Sequence, residues 1–266
     1  MTDTMIQSLR HQRPVVVNYA NFVTPFLVAN GLNAIGASPI MSEEQEEAHD
    51  LVQIAKAVVI NAGAVRRDSW PLMQALATSA NERNIPLVLD PVAVGATRYR
   101  KELNTYLLKH YHFTAIRGNV GEIATLADIP WHSQGIDAGE GNTHAVEVVT
   151  TCAQKYQAIA IASGKVDYIS DGTHTLAIHN QTELLPTLVG SGDLLSSMVG
   201  AYQSVCSDPL AGAKWAILHL TIAGEQAATS LHHQLLPGQF YWQLLDQLSV
   251  LTDQTLHQMK KVEVLS

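Results

Sequence analysis

Five short apolar runs, Pro14–Val17, Ala57–Ile60, Pro86–Leu89, Phe113–Ile116 and Ala158–Ala162, recur along the chain. They are rich in Val and Ile and continuous rather than alternating, as in strands buried on both faces of a mainly parallel sheet. Helical patterns separate them: Phe22–Ile35, Ser42–Ile54, Trp70–Asn84, Arg98–His110 and Ala145–Gln157. Strand then helix, repeated, predicts an α/β fold of βαβ units with right-handed crossovers. Beyond them, Asp167–Ser170 and Thr173–His179 read as strands about an Asp171-Gly172 turn. The last third is expected to be helical over Asp193–Gln203, Pro209–Leu231 and Gln239–His257, which does not fit an eightfold β/α barrel. His132–Thr143, with three glycines, is expected to be a loop, and no linker or repeat divides residues 1–266, so one domain is expected.

Composition narrows the function classes. A net charge of −8 argues against a nucleic-acid groove, which requires clustered Lys and Arg. Hydrophobic residues make up 47% and charged ones 15%, a lean surface that predicts subunit contacts. Cys152 and Cys206 imply no disulfide framework, and the 12 histidines lack any metal-ligand spacing. Met1–Arg13 is polar, and no apolar run approaches the roughly 20 residues of a membrane helix, so a cytoplasmic protein is expected.

In open α/β sheets ligands bind beyond the carboxyl ends of strands. Asn18, Asn21, Asn61, Gly63, Asp90, Arg117, Asn119, Ser163 and Gly164 follow the runs here. The segment Leu188-Val189-Gly190-Ser191-Gly192-Asp193 then opens a small-residue helix. Glycines at a helix start let backbone N–H groups converge on a phosphate. Gly190, Ser191 and Gly192 would form such an anion hole, and Asp193 at its rim would take a proton from an attacking hydroxyl. An acid in a first turn also simply complements the helix dipole.

Other motifs carry two readings as well. Asp90-Pro91 serves Mg²⁺ or caps a turn. Asn119 and Glu122 have the spacing of a helix cap, while Arg117 and Glu122 would suit a nucleotide phosphate and a metal-bound water. Gly36 to Met41 is a helix end and turn, or brings the Met41 thioether against a flat heteroaromatic ring. The P-loop, dinucleotide and nucleophile-elbow patterns are absent from the sequence.

Taken in order, Asn21-Phe22-Val23-Thr24, Ala29-Asn30-Gly31, Gly36-Ala37-Ser38-Pro39-Ile40-Met41, Leu89-Asp90-Pro91-Val92, Gly95-Ala96-Thr97, Arg117-Gly118-Asn119 with Glu122, and Gly190-Ser191-Gly192 resemble hydroxyethylthiazole kinases. The resemblance runs from about Pro14 to Gly238-Gln239-Phe240. It implies a ribokinase-like three-layer α/β/α fold with a central mostly parallel sheet. It also implies ATP- and Mg²⁺-dependent phosphorylation of the primary alcohol of 4-methyl-5-(2-hydroxyethyl)thiazole in thiamin salvage, by a homotrimer with sites between subunits. Carried over by position, Met41, Gly190, Asn21 and Val23 would meet the thiazole, Arg117 and Ser163 ATP, and Asp90 and Glu122 the metal. The chain departs from the family pattern in three places. Asp193 stands where many members carry Cys, Val17 and Ala20 where they often have His and Thr, and Leu188-Val189 where Val-Thr is common. A carboxylate is a better proton acceptor than a neutral thiol. Two alternatives are a related kinase of another heterocyclic alcohol such as hydroxymethylpyrimidine, and a non-catalytic thiazole- or nucleotide-binding protein.

Overall fold

A computed structural model describes residues 4–131 and 138–266. The chain begins with α1 (Met5–Gln12), whose Ile6 and Leu9 are fully buried although the segment is polar overall. The crossover units follow: β1 (Val15–Tyr19), α2 (Pro25–Ile35), β2 (Ser38–Met41), α3 (Ala48–Ile54), β3 (Ala57–Asn61), α4 (Trp70–Glu82), β4 (Leu87–Asp90), α5 (Arg98–His110), β5 (Ala115–Asn119), α6 (Val120–Leu126), α7 (Ala138–Tyr156) and β6 (Ile159–Ser163). An antiparallel pair, β7 (Asp167–Ser170) and β8 (Thr175–Ile178), comes next. Helices α8 (Ser191–Gln203), α9 (Pro209–Ser230), α10 (Pro237–Val250) and α11 (Asp253–Met259) precede a last short strand, β9 (Val262–Val264).

The nine strands among the described residues join one sheet in the order β2-β1-β3-β4-β5-β6-β7-β8-β9. Pairing is parallel from β2 to β6 and antiparallel beyond. Successive strand residues point to opposite faces, and both faces are covered. Val16, Val59 and Ile161 pack with α1, α2 and α8 to α11; Val17, Val58 and Ala160 pack with α3 to α7. Three layers result. Helix α9 is apolar around most of its circumference and is buried accordingly. Among the described residues no helix is long and apolar enough to cross a membrane.

Several expectations shift. Ser38–Met41 is an edge strand rather than a turn, and Pro39 is tolerated because an edge leaves one side of the backbone unpaired. The expected helix Gln239–His257 breaks at Leu251-Thr252, where Thr252 turns extended and its hydroxyl caps α11 by accepting from Thr255 N–H at 3.2 Å. Of the expected loop His132–Thr143, residues 132–137 lie outside the described residues, and from Ala138 onward the backbone is already helical in α7.

Candidate active site

The carboxyl ends of β1, β3, β4, β5 and β6 converge on the start of α8. Gly190 precedes that helix with φ +94°, a left-handed conformation that favours glycine. A Cβ there would come within 2.8 Å of Thr24 Cβ. The Ser191 N–H bonds back to Leu188 O at 3.2 Å, so this member of the expected anion hole is partly spent. The N–H groups of Gly192 and Asp193 have no acceptor among the described residues and sit at the positive end of the helix dipole. They form the cradle.

Asp193 stands in this first turn, and its Oδ2 accepts two hydrogen bonds, from Asn21 Nδ2 at 2.6 Å and Thr24 Oγ1 at 2.5 Å. Its Oδ1 accepts none among the described residues. Asn21 is itself fixed: its Oδ1 accepts from the N–H groups of Val23 (2.8 Å) and Thr24 (3.1 Å), and its Nδ2 also reaches Asn61 Oδ1 at 3.2 Å. Next to this group a small cavity, roomy enough for about one water, is lined by Asn18, Ala20, Thr24, Asn61, Asp193 and Ser197.

Arg117, on β5, lies directly behind Gly192, where a Cβ would overlap its guanidinium. Its Nη2 donates to Ser163 Oγ at 2.5 Å and its Nη1 lies 3.5 Å from Asp90 Oδ2. The structure therefore joins Arg117, Ser163 and Asp90 into one cluster under the cradle. Asp90 is 1% exposed, and Ser196 Oγ donates to its Oδ2 at 2.7 Å, while its Oδ1 has no partner among the described residues. Burial pushes the Asp90 carboxyl up to about 7, against the opposing pull of the Arg117 charge.

Glu122 fulfils the cap reading. The Asn119 side chain accepts from Glu122 N–H, Glu122 Oε2 accepts from Asn119 N–H at 2.8 Å, and Oε1 accepts from Ala93 N–H at 2.7 Å. Both oxygens thus hold backbone, pinning the loop after β4 to the start of α6. Among the described residues no group of three or more His, Cys, Asp or Glu stands ready to enclose a metal ion. The unspent, buried Oδ1 of Asp90 nevertheless fits Mg²⁺, which characteristically takes one or two carboxylates and fills its shell with phosphate oxygens and water.

Met41 and Val23 stand apart from this centre. Met41 ends β2 in register with Asn18, whose Oδ1 accepts from Ser197 Oγ of α8 at 2.8 Å. Val23 is 62% exposed, and its main tie to the site is its own N–H on Asn21. Of the departures at Val17 and Ala20, Val17 on β1 is buried in the core on the α3–α7 side, so it removes nothing from the pocket, whereas Ala20, just past the strand, lines the cavity. Sequence reasoning missed Thr24, Ser196 and Ser197, all of which bond to named site residues.

The model of the hydroxyethylthiazole kinase family matches residues 6–254. This chain belongs to the hydroxyethylthiazole kinase family. Within that family it is 59% identical to a hydroxyethylthiazole kinase of Pediococcus pentosaceus over 97% of both chains. It is 43% identical to that of Pasteurella multocida over 98% of both. A solved hydroxyethylthiazole kinase structure from Pyrococcus horikoshii OT3 superposes with a TM-score of 0.89 at 31% identity, covering 98% of each chain. The pyridoxal kinase of Bacillus subtilis, with a TM-score of 0.58 at 12% identity, shares the fold. The fold is ribokinase-like, shared with a ribokinase-like superfamily protein of Enterococcus faecalis V583 that superposes with a TM-score of 0.61 at 13% identity, covering 93% of this chain and 89% of that one.

Proposed function

We propose that this chain transfers the terminal phosphoryl group of ATP to the primary alcohol of 4-methyl-5-(2-hydroxyethyl)thiazole, giving the phosphate ester used in thiamin salvage. The observation that carries the reading is the placement of the Asp193 carboxylate in the same helical turn as the unspent N–H groups of Gly192 and Asp193. Asp193 Oδ1 accepts the proton of the alcohol as its oxygen attacks the phosphorus, and the bond to ADP breaks. The cradle N–H groups meet the charge that develops on the transferring group, with the Arg117 guanidinium behind them. Ser163 holds that guanidinium in place. Asp90 directly, and Glu122 through water, would hold Mg²⁺, which supplies charge neutralisation on the phosphates.

The thiazole would lie toward Met41, Asn21, Val23 and Gly190. The cavity beside Asp193 is small in one chain, and large apolar side chains adjacent in sequence to Asn21 and Gly190 are exposed: Phe22, Val23 and Val189. Both features support a homotrimer whose neighbouring copy completes the site. The net charge of −8 and the absence of a membrane-crossing helix among the described residues support a cytoplasmic enzyme without nucleic-acid partners.

ADP release with Mg·ATP tests the assignment. Hydroxyethylthiazole is expected to be turned over in preference to hydroxymethylpyrimidine, and Asp193→Asn to lose about 10²–10⁴ in rate. Preference for the pyrimidine alcohol would displace the substrate assignment. An Asp193→Asn enzyme with wild-type turnover would remove the base.

A further inference from the structure

We propose that Thr24 is a positioning residue for phosphoryl transfer: its hydroxyl holds one oxygen of Asp193 so that the other is left to face the alcohol. The proposal rests on the reading of Asp193 as the base. Thr24 precedes α2 in the cap position, yet its side chain makes no capping hydrogen bond, so the usual reason for a threonine there is absent. Its Oγ1 has one proton and two acceptors in range, Asp193 Oδ2 at 2.5 Å and Asn21 Oδ1 at 3.3 Å. Asn21 Oδ1 already accepts two backbone N–H groups, so the proton goes to Asp193.

The rest of the side chain is packed. Thr24 is 5% exposed, and its Cβ and Cγ2 fill the space that a Cβ on Gly190 would need. A valine would fill the same space without the hydroxyl, and a serine would keep the hydroxyl without the methyl. The single side chain therefore touches both ends of the Gly190–Asp193 turn. With Asn21 it occupies Oδ2 fully, which leaves Oδ1 to receive the proton while Thr24 keeps its own.

The test compares Thr24→Val, Thr24→Ser, Asp193→Asn and the double variant Thr24→Val/Asp193→Asn in steady-state turnover of ATP and hydroxyethylthiazole. Loss of a hydrogen bond to a charged group predicts a drop in kcat of about 10- to 100-fold for Thr24→Val. The KM values for both substrates should hold within about twofold, and Thr24→Ser should stay within about threefold of wild type, because packing alone moves neither. In the Asp193→Asn background, Thr24→Val should cost nothing further. Wild-type kcat in Thr24→Val, or a Thr24→Ser as slow as Thr24→Val, would overturn the role of the hydroxyl. Were Thr24→Val not to fold, Thr24→Ala, which relieves crowding at Gly190, gives the same comparison with Thr24→Ser. Full activity of Asp193→Asn would instead fell the base assignment, and the role of Thr24 with it.

Discussion

The Asp90 carboxyl lies at the end of β4 with one oxygen unpartnered among the described residues, and burial raises it from 3.8 to about 7 even beside Arg117. Its folded-state value thus exceeds the unfolded one, and between about pH 4 and 7 the native state binds more protons than the unfolded chain. This group's contribution to stability therefore falls as pH rises through that window. Asp90→Asn remains neutral, so its unfolding free energy should gain on wild type from pH 5 to pH 8, by a few kcal/mol at most, as read from urea unfolding at each pH. A flat or reversed difference would show that the ionised carboxyl is fully compensated in the protein. The same substitution removes the oxygen offered to Mg²⁺, so the expected outcome is a less active protein whose stability relative to wild type is greater at pH 8 than at pH 5.

At the scale of elements, Glu122 binds two segments through backbone groups alone, closing the capping box of α6 and holding Ala93 of the loop after β4. Glu122→Ala should lower stability by about 1–3 kcal/mol, because two backbone donors lose their acceptor together. Glu122→Gln keeps one acceptor and should lose less. Equal stability of both variants to wild type would show that water replaces the carboxylate at no cost. The Asn-x-x-Glu spacing announced this contact in the sequence, and Arg98–His110 was bounded there as it stands in α5. The five apolar runs located β1, β3, β4, β5 and β6 to within a few residues, since strands covered on both faces need no polar interruption. Edge strand β2 escaped because Ser38-Pro39 carries turn chemistry and only its parallel partner β1 makes it a strand. Thr24 escaped for a related reason: its partner Asp193 is 169 positions away, and no local spacing connects them.

For the molecule as a whole, several large apolar side chains are left without cover, Phe22, Val23 and Val189 among them, next in sequence to Asn21 and Gly190. Phe26, 64% exposed, stacks on Tyr241, whose neighbour Trp242 is 59% exposed. Phe26→Glu places a charge in this patch, and light scattering coupled to gel filtration should find it shifted toward the 28.9 kDa single chain, with turnover falling in parallel. A wild-type protein that runs as a single chain with full activity would rule out a shared site. The placement of Asp193, Arg117, Asp90 and Ser163 on four different elements shows how little of the site any one stretch of sequence contains. What the sequence did disclose was their common address, at the carboxyl ends of the strands.

The two glycines before Asp193 are shut to drift for unlike reasons. Position 190 is closed by torsion as well as crowding, while position 192 is closed because the Arg117 guanidinium already fills the volume that a methyl group would need. A relative that carried alanine at 192 would have to trim or turn the arginine in the same step, and with it give up the charge behind the cradle. Change at that position is therefore felt 75 residues upstream, in where the arginine of a strand can place its charge.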